Sequence, residues 1–215
     1  MTRDENGGEG RTLYLDTEGS FRPERLVPIA ERFGLEADFV VTNVLYARIF
    51  NCDHLENAIM EAGALFASDD QEPFRVLVVD SIIGVYRQEF QGRGELAERQ
   101  QRMGKVLWML KKLAQTYNIA VILTNQVTAD PGAMAGVDAK KAVGGNILAH
   151  AVDTRIMLRK YKVCSPLASP PPSVSVSLFS PSARVTTALA PPQGDQRIAK
   201  VMQSPLVGEA EATFR

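Results

Sequence analysis

Apolar positions along this chain switch repeatedly between short consecutive or alternating runs and stretches in which they recur every three or four places. Residues 11–18, RTLYLDTE, read as a strand whose end carries Asp16, Thr17 and Glu18, with Gly19 and Ser20 turning the chain. In residues 21–33, Leu26, Ile29, Ala30 and Phe33 share one helical face. Pro23 near its start and Gly34 just past its end predict a short amphipathic helix. Residues 40–49 hold a second strand, clearest in VLYARI, and Asp53 with Glu56 has the spacing of a capping box opening a helix to about Ala67. The run Val76, Leu77, Val78, Val79 predicts a buried strand ending at Asp80. Residues 96–117 then place Leu96, Met103, Val106, Leu107, Leu110, Leu113, Ala114 and Tyr117 on one helical stripe. Residues 119–123, 154–160 and 197–202 read as further strands.

This alternation predicts an α/β fold, a mostly parallel central sheet flanked by helices, because parallel strands need crossover helices to join them. Ligands in such sheets gather beyond the carboxyl ends of the strands. By that rule Glu18, Asp80 and the group Thr124, Asn125, Gln126 are expected on one edge. Two stretches break the pattern. Residues 127–145, rich in Gly and Ala, are too long for an ordinary connection, and such loops are functional or disordered. Residues 163–193 are dense in Pro and Ser and almost uncharged, a composition that cannot build a core and is expected to be disordered. The domain reading is therefore a disordered 1–10, a core over 11–162, an insertion at 163–193, and the remaining strand of the core in 194–215.

Composition adds limits rather than direction. A 215-residue chain with 45% hydrophobic and 23% charged residues suits one globular domain. The net charge of −1 gives no global sign of nucleic-acid binding, so a polyanion site has to come from local clusters such as Arg87 with Arg93. Cys52 and Cys164 have no metal-ligand spacing, so neither a disulfide scaffold nor a zinc site is expected. MTRDENGGEG lacks the apolar core of a signal peptide and no apolar run approaches membrane-spanning length, so a soluble, intracellular protein without a membrane partner is expected.

Asp80, after four apolar residues, has the pattern of an acid that holds magnesium through water beside a nucleotide's terminal phosphates; a plain strand-ending turn gives the same string. Glu18 is a candidate to activate water for attack on the γ-phosphate, against a solvated turn acid. Gln126 is a candidate phosphate-sensing amide, against a mere strand cap. Arg93, between two glycines, suits a phosphate contact, against an exposed turn arginine with no such role. Lys140 and Lys141 in the second long loop carry the same charge with the same two readings. Pro131 fits an apolar wedge between bases or an ordinary Asp-Pro-Gly turn. His150 is read as a packed structural histidine, and Met103, Met109 and Met157 as core.

The strings LYLDTEGSFRPERL, NVLYAR, VDSIIGVYRQEFQGRGELAERQQ, ILTNQVTADPGA, GGNILAHA, RIAKV and EAEATF together resemble the eukaryotic RecA-type DNA strand-exchange recombinases. TADPGA after TNQ resembles the meiosis-specific branch more than the mitotic one. The resemblance runs from about residue 8 to 214 outside the Pro/Ser segment. It implies a RecA-like P-loop NTPase core, here truncated at its N-terminal edge, and a DNA-dependent ATPase that uses ATP and Mg. It puts Glu18 at the catalytic glutamate and Asp80 at the Walker B acid, with Ser81 following. Gln126 falls at the γ-phosphate sensor, Arg93 in the first DNA loop, and Pro131 where a residue enters the gap between base triplets. Implied partners are single- and double-stranded DNA, further copies in a filament, and recombination accessory proteins, all in the nucleus. The function it implies is homologous pairing and strand exchange in meiotic recombination and repair. The alternative is a non-catalytic paralogue serving as a DNA-binding or protein-interaction module.

The chain also departs from the pattern. No G-x-x-x-x-G-K-[ST] occurs in it, so the phosphate-cradling backbone and its lysine are not among these residues. Near the C-terminus, MQSPLVG stands where the family carries an aspartate before Ser-Pro and a second proline. Joining Lys162 to Gly194 gives RKYKGDQRIAKV, close to the family's tight hairpin. Valine codons begin GT and one glutamine codon is CAG, so Val163 and Gln193 sit where intron boundaries would. The segment is thus expected to be a translated intron, against a tolerated lineage-specific loop; sequencing the transcript across Lys162 and Gly194 separates the two.

Overall fold

A computed structural model describes residues 8, 10–68, 73–129, 140–160, 173–179 and 197–214, with backbone alone for 93, 129, 140–141, 160 and 173–179. The alternating and β-branched runs form the expected strands. β1 (Arg11–Asp16), β2 (Val44–Arg48), β3 (Phe74–Asp80) and β4 (Ala120–Ala129) build a parallel half-sheet in the order β2-β1-β3-β4. Its register aligns the strand ends: Asp16 lies opposite Arg48 on one side and Asp80 on the other, and Val79 lies opposite Leu123.

Beyond β4 the ladders turn antiparallel. β5 (Lys140–Ala142) folds back on the far end of β4, and β6 (Thr154–Lys160), β7 (Ser173–Phe179), β8 (Arg197–Gln203) and β9 (Glu211–Phe214) continue the sheet as β4-β7-β6-β8-β9. Two expectations are corrected here. Lys140 and Lys141 lie in a strand rather than a loop. Disorder across 163–193 does not hold for 173–179, which pair on both sides. The reason is local: SVSVSLF has the two-residue period of a strand inside a composition whose Pro and Ser content hides it.

Among the described residues the α-helices that connect the strands are α1 (Leu26–Arg32), α2 (Ala37–Thr42), α3 (Cys52–Ala67), α4 (Gly84–Glu89), α5 (Leu96–Tyr117) and α6 (Gly145–Ala151). α5 follows its predicted stripe, burying Met103, Val106, Leu107, Leu110 and Ala114, and stops at Asn118, whose left-handed backbone (φ 52°) closes the last turn. It packs on α3, α6 and β4. α3 is capped by Asn51, whose Oδ1 accepts from the His54 N–H at 2.7 Å, not by an Asp53–Glu56 box. Glu56 is buried instead and pairs with Arg102 (3.2 Å) and Lys105 (2.7 Å) of α5. The expected apolar face of α1 is only partly used. Ala30 is buried, while Ile29 and Phe33 are more than half exposed, because the short helix packs on α2 and stands off the main core. α2 also takes Val40 and Val41, and the strand expected within 40–49 keeps to its clearest part, Val44–Arg48. His150 is exposed in the last turn of α6, correcting its reading as a packed residue.

The hydrophobic core is one cluster built from β1, β3, β4 and α3–α6, with Leu15, Leu77, Val79, Ile82, Tyr86, Leu107 and Leu110 almost inaccessible. It holds the parallel half rigidly from one end to the other, so the carboxyl ends of β1, β3 and β4 are fixed with respect to each other.

Candidate functional site

Three strand ends meet at this edge. β1 runs straight into Thr17 and Glu18, whose entry is locked to β3 by the Thr17 N–H donating to the Asp80 carbonyl at 2.7 Å. The Thr17 hydroxyl accepts from the Ser81 N–H (2.9 Å) and donates to the Ser81 carbonyl (2.8 Å), holding both loops from within. The Asp80–Ser81 peptide is cis. Gly84, at the start of α4, lies so close that a Cβ there would sit 2.5 Å from the Thr17 hydroxyl and 3.1 Å from Glu18 Oε1, so the approach requires glycine.

Glu18 is the meeting point. Its Oε1 accepts from Ser81 Oγ at 2.7 Å and from Gln126 Nε2 at 3.1 Å. Arg87 of α4 donates to Gln126 Oε1. Because a guanidinium only donates and a carboxylate only accepts, these two partners fix which way the Gln126 amide faces. The other carboxylate oxygen of Glu18 accepts from none of the described residues, and Glu18 is exposed, so that oxygen is open to a water molecule.

Asp80 is held as firmly. Tyr14 donates to its Oδ2 at 2.5 Å, Thr124 to its Oδ1 at 2.5 Å, and Ser20 approaches Oδ2 at 3.4 Å. Burial, then the bond to Asp80, push the Tyr14 hydroxyl well above the ordinary tyrosine range, so it stays protonated and remains a donor. Among the described residues no group of three or more Asp, Glu, His or Cys could hold a metal directly. A single oriented carboxylate with hydroxyls around it fits magnesium retained through its own water shell better than a dehydrated protein cage.

A buried acid that the sequence reading did not single out organises the loop carrying Glu18. Asp16 is fully inaccessible, and its carboxylate accepts from the N–H groups of Gly19 (2.6 Å), Glu18 (2.9 Å), Phe21 (3.1 Å) and Ser20 (3.4 Å), from Tyr46 (3.2 Å), and from Arg48 (3.3 Å). Burial alone would raise its pKa, but the backbone donors, Phe21 foremost, outweigh burial and hold it below the usual carboxylate value. Phe21 packs between Tyr14 (4.7 Å) and Tyr46 (4.9 Å), pinning the far side of the same loop. The signal was available: Asp16 heads a turn of small polar residues, and Tyr14 shares its strand parity with Asp16, facing the row of Val78 and Asp80.

The structure therefore brings together Glu18, Asp80, Ser81 and Gln126. Of the basic candidates it brings in Arg87, while Arg93, Lys140 and Lys141 belong to other elements. Arg93 opens a 3-10 turn (Arg93–Glu95) just before α5, in which the Gly92 N–H donates to Glu95 Oε2 at 3.0 Å. Lys141 and Lys140 pair with Thr128 and Ala129 at the end of β4. Pro131 lies outside the described residues. Arg87, paired with Arg93 as a local basic cluster in the sequence, is in α4 and bound to Gln126.

The sequence model of the Rad51 family matches residues 1–172. The chain belongs to the Rad51 family. Among its relatives, the meiotic recombination protein DMC1 homolog A of Oryza sativa subsp. indica is 44% identical over 211 residues, covering 98% of this chain and 52% of that protein. The DMC1 homolog of Lilium longiflorum is 44% identical over 211 residues (98% and 51%). The meiotic recombination protein DLH1 of Candida albicans is 41% identical over 217 residues, covering 100% of this chain and 56% of that protein. The chain spans about half the length of these curated relatives. Its Rad51-family part has the α/β architecture expected of a RecA-like core.

Proposed function

We propose that this chain carries the nucleotide-responding edge and part of the DNA-binding surface of an ATP-dependent recombinase acting in meiotic recombination and repair in the nucleus. Within its longer protein it would bind single- and double-stranded DNA as a filament of like copies, promote pairing and strand exchange, and meet recombination accessory proteins. The observation that carries this reading is the convergence of Glu18, Ser81 and Gln126 through one carboxylate oxygen, beside an Asp80 oriented by two hydroxyls. Bound ATP with magnesium would supply an electrophilic γ-phosphorus and the charge that Asp80 faces through water. The residues here then divide the remaining tasks. Glu18 orients a water and takes its proton at the oxygen that the described residues leave free. Ser81 and Gln126 fix the carboxylate, and Asp80 keeps its charge directed by Tyr14 and Thr124. Gln126 also opens the route to the basic strand β5, because the Val143 N–H donates to the Gln126 carbonyl (3.0 Å) and Asn125 Nδ2 to the Val143 carbonyl (2.6 Å).

In the longer protein, Glu18→Gln should abolish ATP turnover while leaving nucleotide and DNA binding in place; unchanged hydrolysis refutes the assignment and favours a non-catalytic binding module. Arg93→Ala should weaken binding to all DNA sequences alike and make the salt dependence of the binding constant shallower by roughly one phosphate contact. A slope that does not move takes Arg93 off the DNA.

A further inference from the structure

The clustered residues Asp80 and Gln126 lie on β3 and β4, and Glu18 and Ser81 in the turns beyond β1 and β3; none lies on β2, the outermost described strand of the parallel half. Yet β2 touches the supports of both acids. In the parallel ladder Tyr46 lies directly opposite Tyr14, and two residues further on Arg48 lies opposite Asp16, so the four side chains stand on one face of the sheet. Among the described residues the side-chain partners of Asp16 are Tyr46 and Arg48, both from β2. Tyr46 grips the loop carrying Glu18 twice. Its hydroxyl donates to Asp16 Oδ2 at 3.2 Å, the oxygen that also accepts the Phe21 N–H at 3.1 Å, and its ring stacks on the Phe21 ring at 4.9 Å and 18°. The contacts then run on to the other acid: the Phe21 ring packs on Tyr14 at 4.7 Å, and Tyr14 donates to Asp80 Oδ2 at 2.5 Å. Tyr46 itself is 42% exposed and belongs neither to the core cluster nor to the residues packed against it. Its contribution to the fold is small, and its contribution to this network is direct.

We propose that Tyr46 is a positioning residue for this site, its hydroxyl setting the Glu18 loop through Asp16 and its ring setting the direction of Asp80 through Phe21 and Tyr14. β2 is then the fourth strand that builds the site. The inference rests on the roles given above to Glu18 and Asp80. Its physical basis is that the two grips restrain different freedoms. Hydrogen bonds to Asp16 hold the loop to one point, about which it can still pivot, and a ring seated between two others removes the pivot because aromatic pairs favour defined offsets. Glu18 and Asp80 are thereby held at one separation by a side chain that touches neither. A misplacement of about 1 Å at a reacting centre can cost about a hundredfold in rate, so a contact this far from the chemistry is sufficient to matter.

The test separates the hydroxyl from the ring. In the full 215-residue chain with isotope-labelled tyrosine rings, Tyr46→Phe should lower the hydrogen-exchange protection of the amides of 18–21 about threefold or more and leave the Tyr14 ring signals in place. Tyr46→Leu should lower that protection about tenfold or more and move the Tyr14 signals as well. In both variants 76–79 of β3 should keep their protection, which a general loss of stability would not allow. If Tyr46→Leu does not fold, Phe21→Leu breaks the same stack from the loop side and should move the Tyr14 signals in its place. In the longer protein, Tyr46→Leu should lower kcat for ATP hydrolysis about tenfold or more with KM for ATP within about twofold, and Tyr46→Phe should recover most of the loss. The proposal is overturned if 18–21 keep their protection in Tyr46→Leu, if 76–79 lose theirs in equal measure, or if Tyr46→Leu turns over ATP normally where Glu18→Gln does not. Unchanged turnover in Glu18→Gln itself refutes the role of Glu18 instead, and the exchange and ring signals then decide whether Tyr46 holds the loop.

Discussion

In the parallel half of the sheet, β1, β3 and β4 deliver polar side chains from their carboxyl ends into one cluster, while their other residues fill the main core. In the antiparallel half the main core is left behind: its members run no further than Val152, and the buried Ile198 and Val201 lie outside it. The polar contacts described there join pairs of elements, such as Thr154 to Ser204 at 3.2 Å and Arg159 to Glu211 at 3.1 Å. A site that must hold several groups still needs a rigid base, and only the parallel half provides one. The antiparallel half serves as a cover that completes hydrogen bonding along β4.

The largest expected effect tests this division with one chemistry in two places. Leu77→Ala, in the centre of β3 and fully buried, should cost about 3–5 kcal/mol of unfolding free energy, and Leu158→Ala, half-buried in β6, about 1–2 kcal/mol. Urea unfolding of the two variants checks it. Equal losses would mean that the halves share one core and that the division is wrong.

What could be read from sequence follows the same line. β3 announced itself by its short β-branched run Val76 to Val79, and Asp80 was legible because that run ends in an acid. Glu18 and Gln126 followed from placing three strand ends on one edge. The buried organiser Asp16 was less visible, since a turn acid reads alike whether it is solvated or surrounded by amides. The failures fall where packing is thin. α1 has a helical stripe but covers nothing with Ile29 and Phe33, and 173–179 form a strand in a stretch judged by its overall composition. Period carries the information, and averaging over the Pro- and Ser-rich residues 163–193 erased it.

The next effect concerns pH. Asp16 has a folded pKa below its ordinary 3.8, so the stability it contributes is complete above that ordinary value and is lost as pH falls through the depressed one. Asp16→Asn should cost about 1–3 kcal/mol at neutral pH, because the loop amides keep a carbonyl acceptor but Arg48 loses its charge partner. The variant's stability should also fall less steeply than the parent's on acidification below pH 4. If the acid limbs of the two unfolding profiles coincide, the charge of Asp16 is not what holds the Glu18 loop, and the parallel half loses its electrostatic distinction.

The smallest effect sets two single hydroxyls against each other. Tyr14→Phe removes a donor to the ionisable Asp80, which keeps Thr124 at 2.5 Å and the more distant Ser20. Thr154→Val removes a donor to the neutral hydroxyl of Ser204, which keeps the Leu206 N–H at 3.2 Å. A bond to a charged acceptor is worth roughly twice one between neutral groups, so the first change should cost about 1.5 kcal/mol and the second about 0.5 kcal/mol. The two are distant and share no partner, so the double variant should lose the sum. A Tyr14→Phe cost no greater than that of Thr154→Val would mean that Asp80 is oriented by Thr124 alone. The added order of the parallel edge would then come from its packing, with the hydroxyl network following from it.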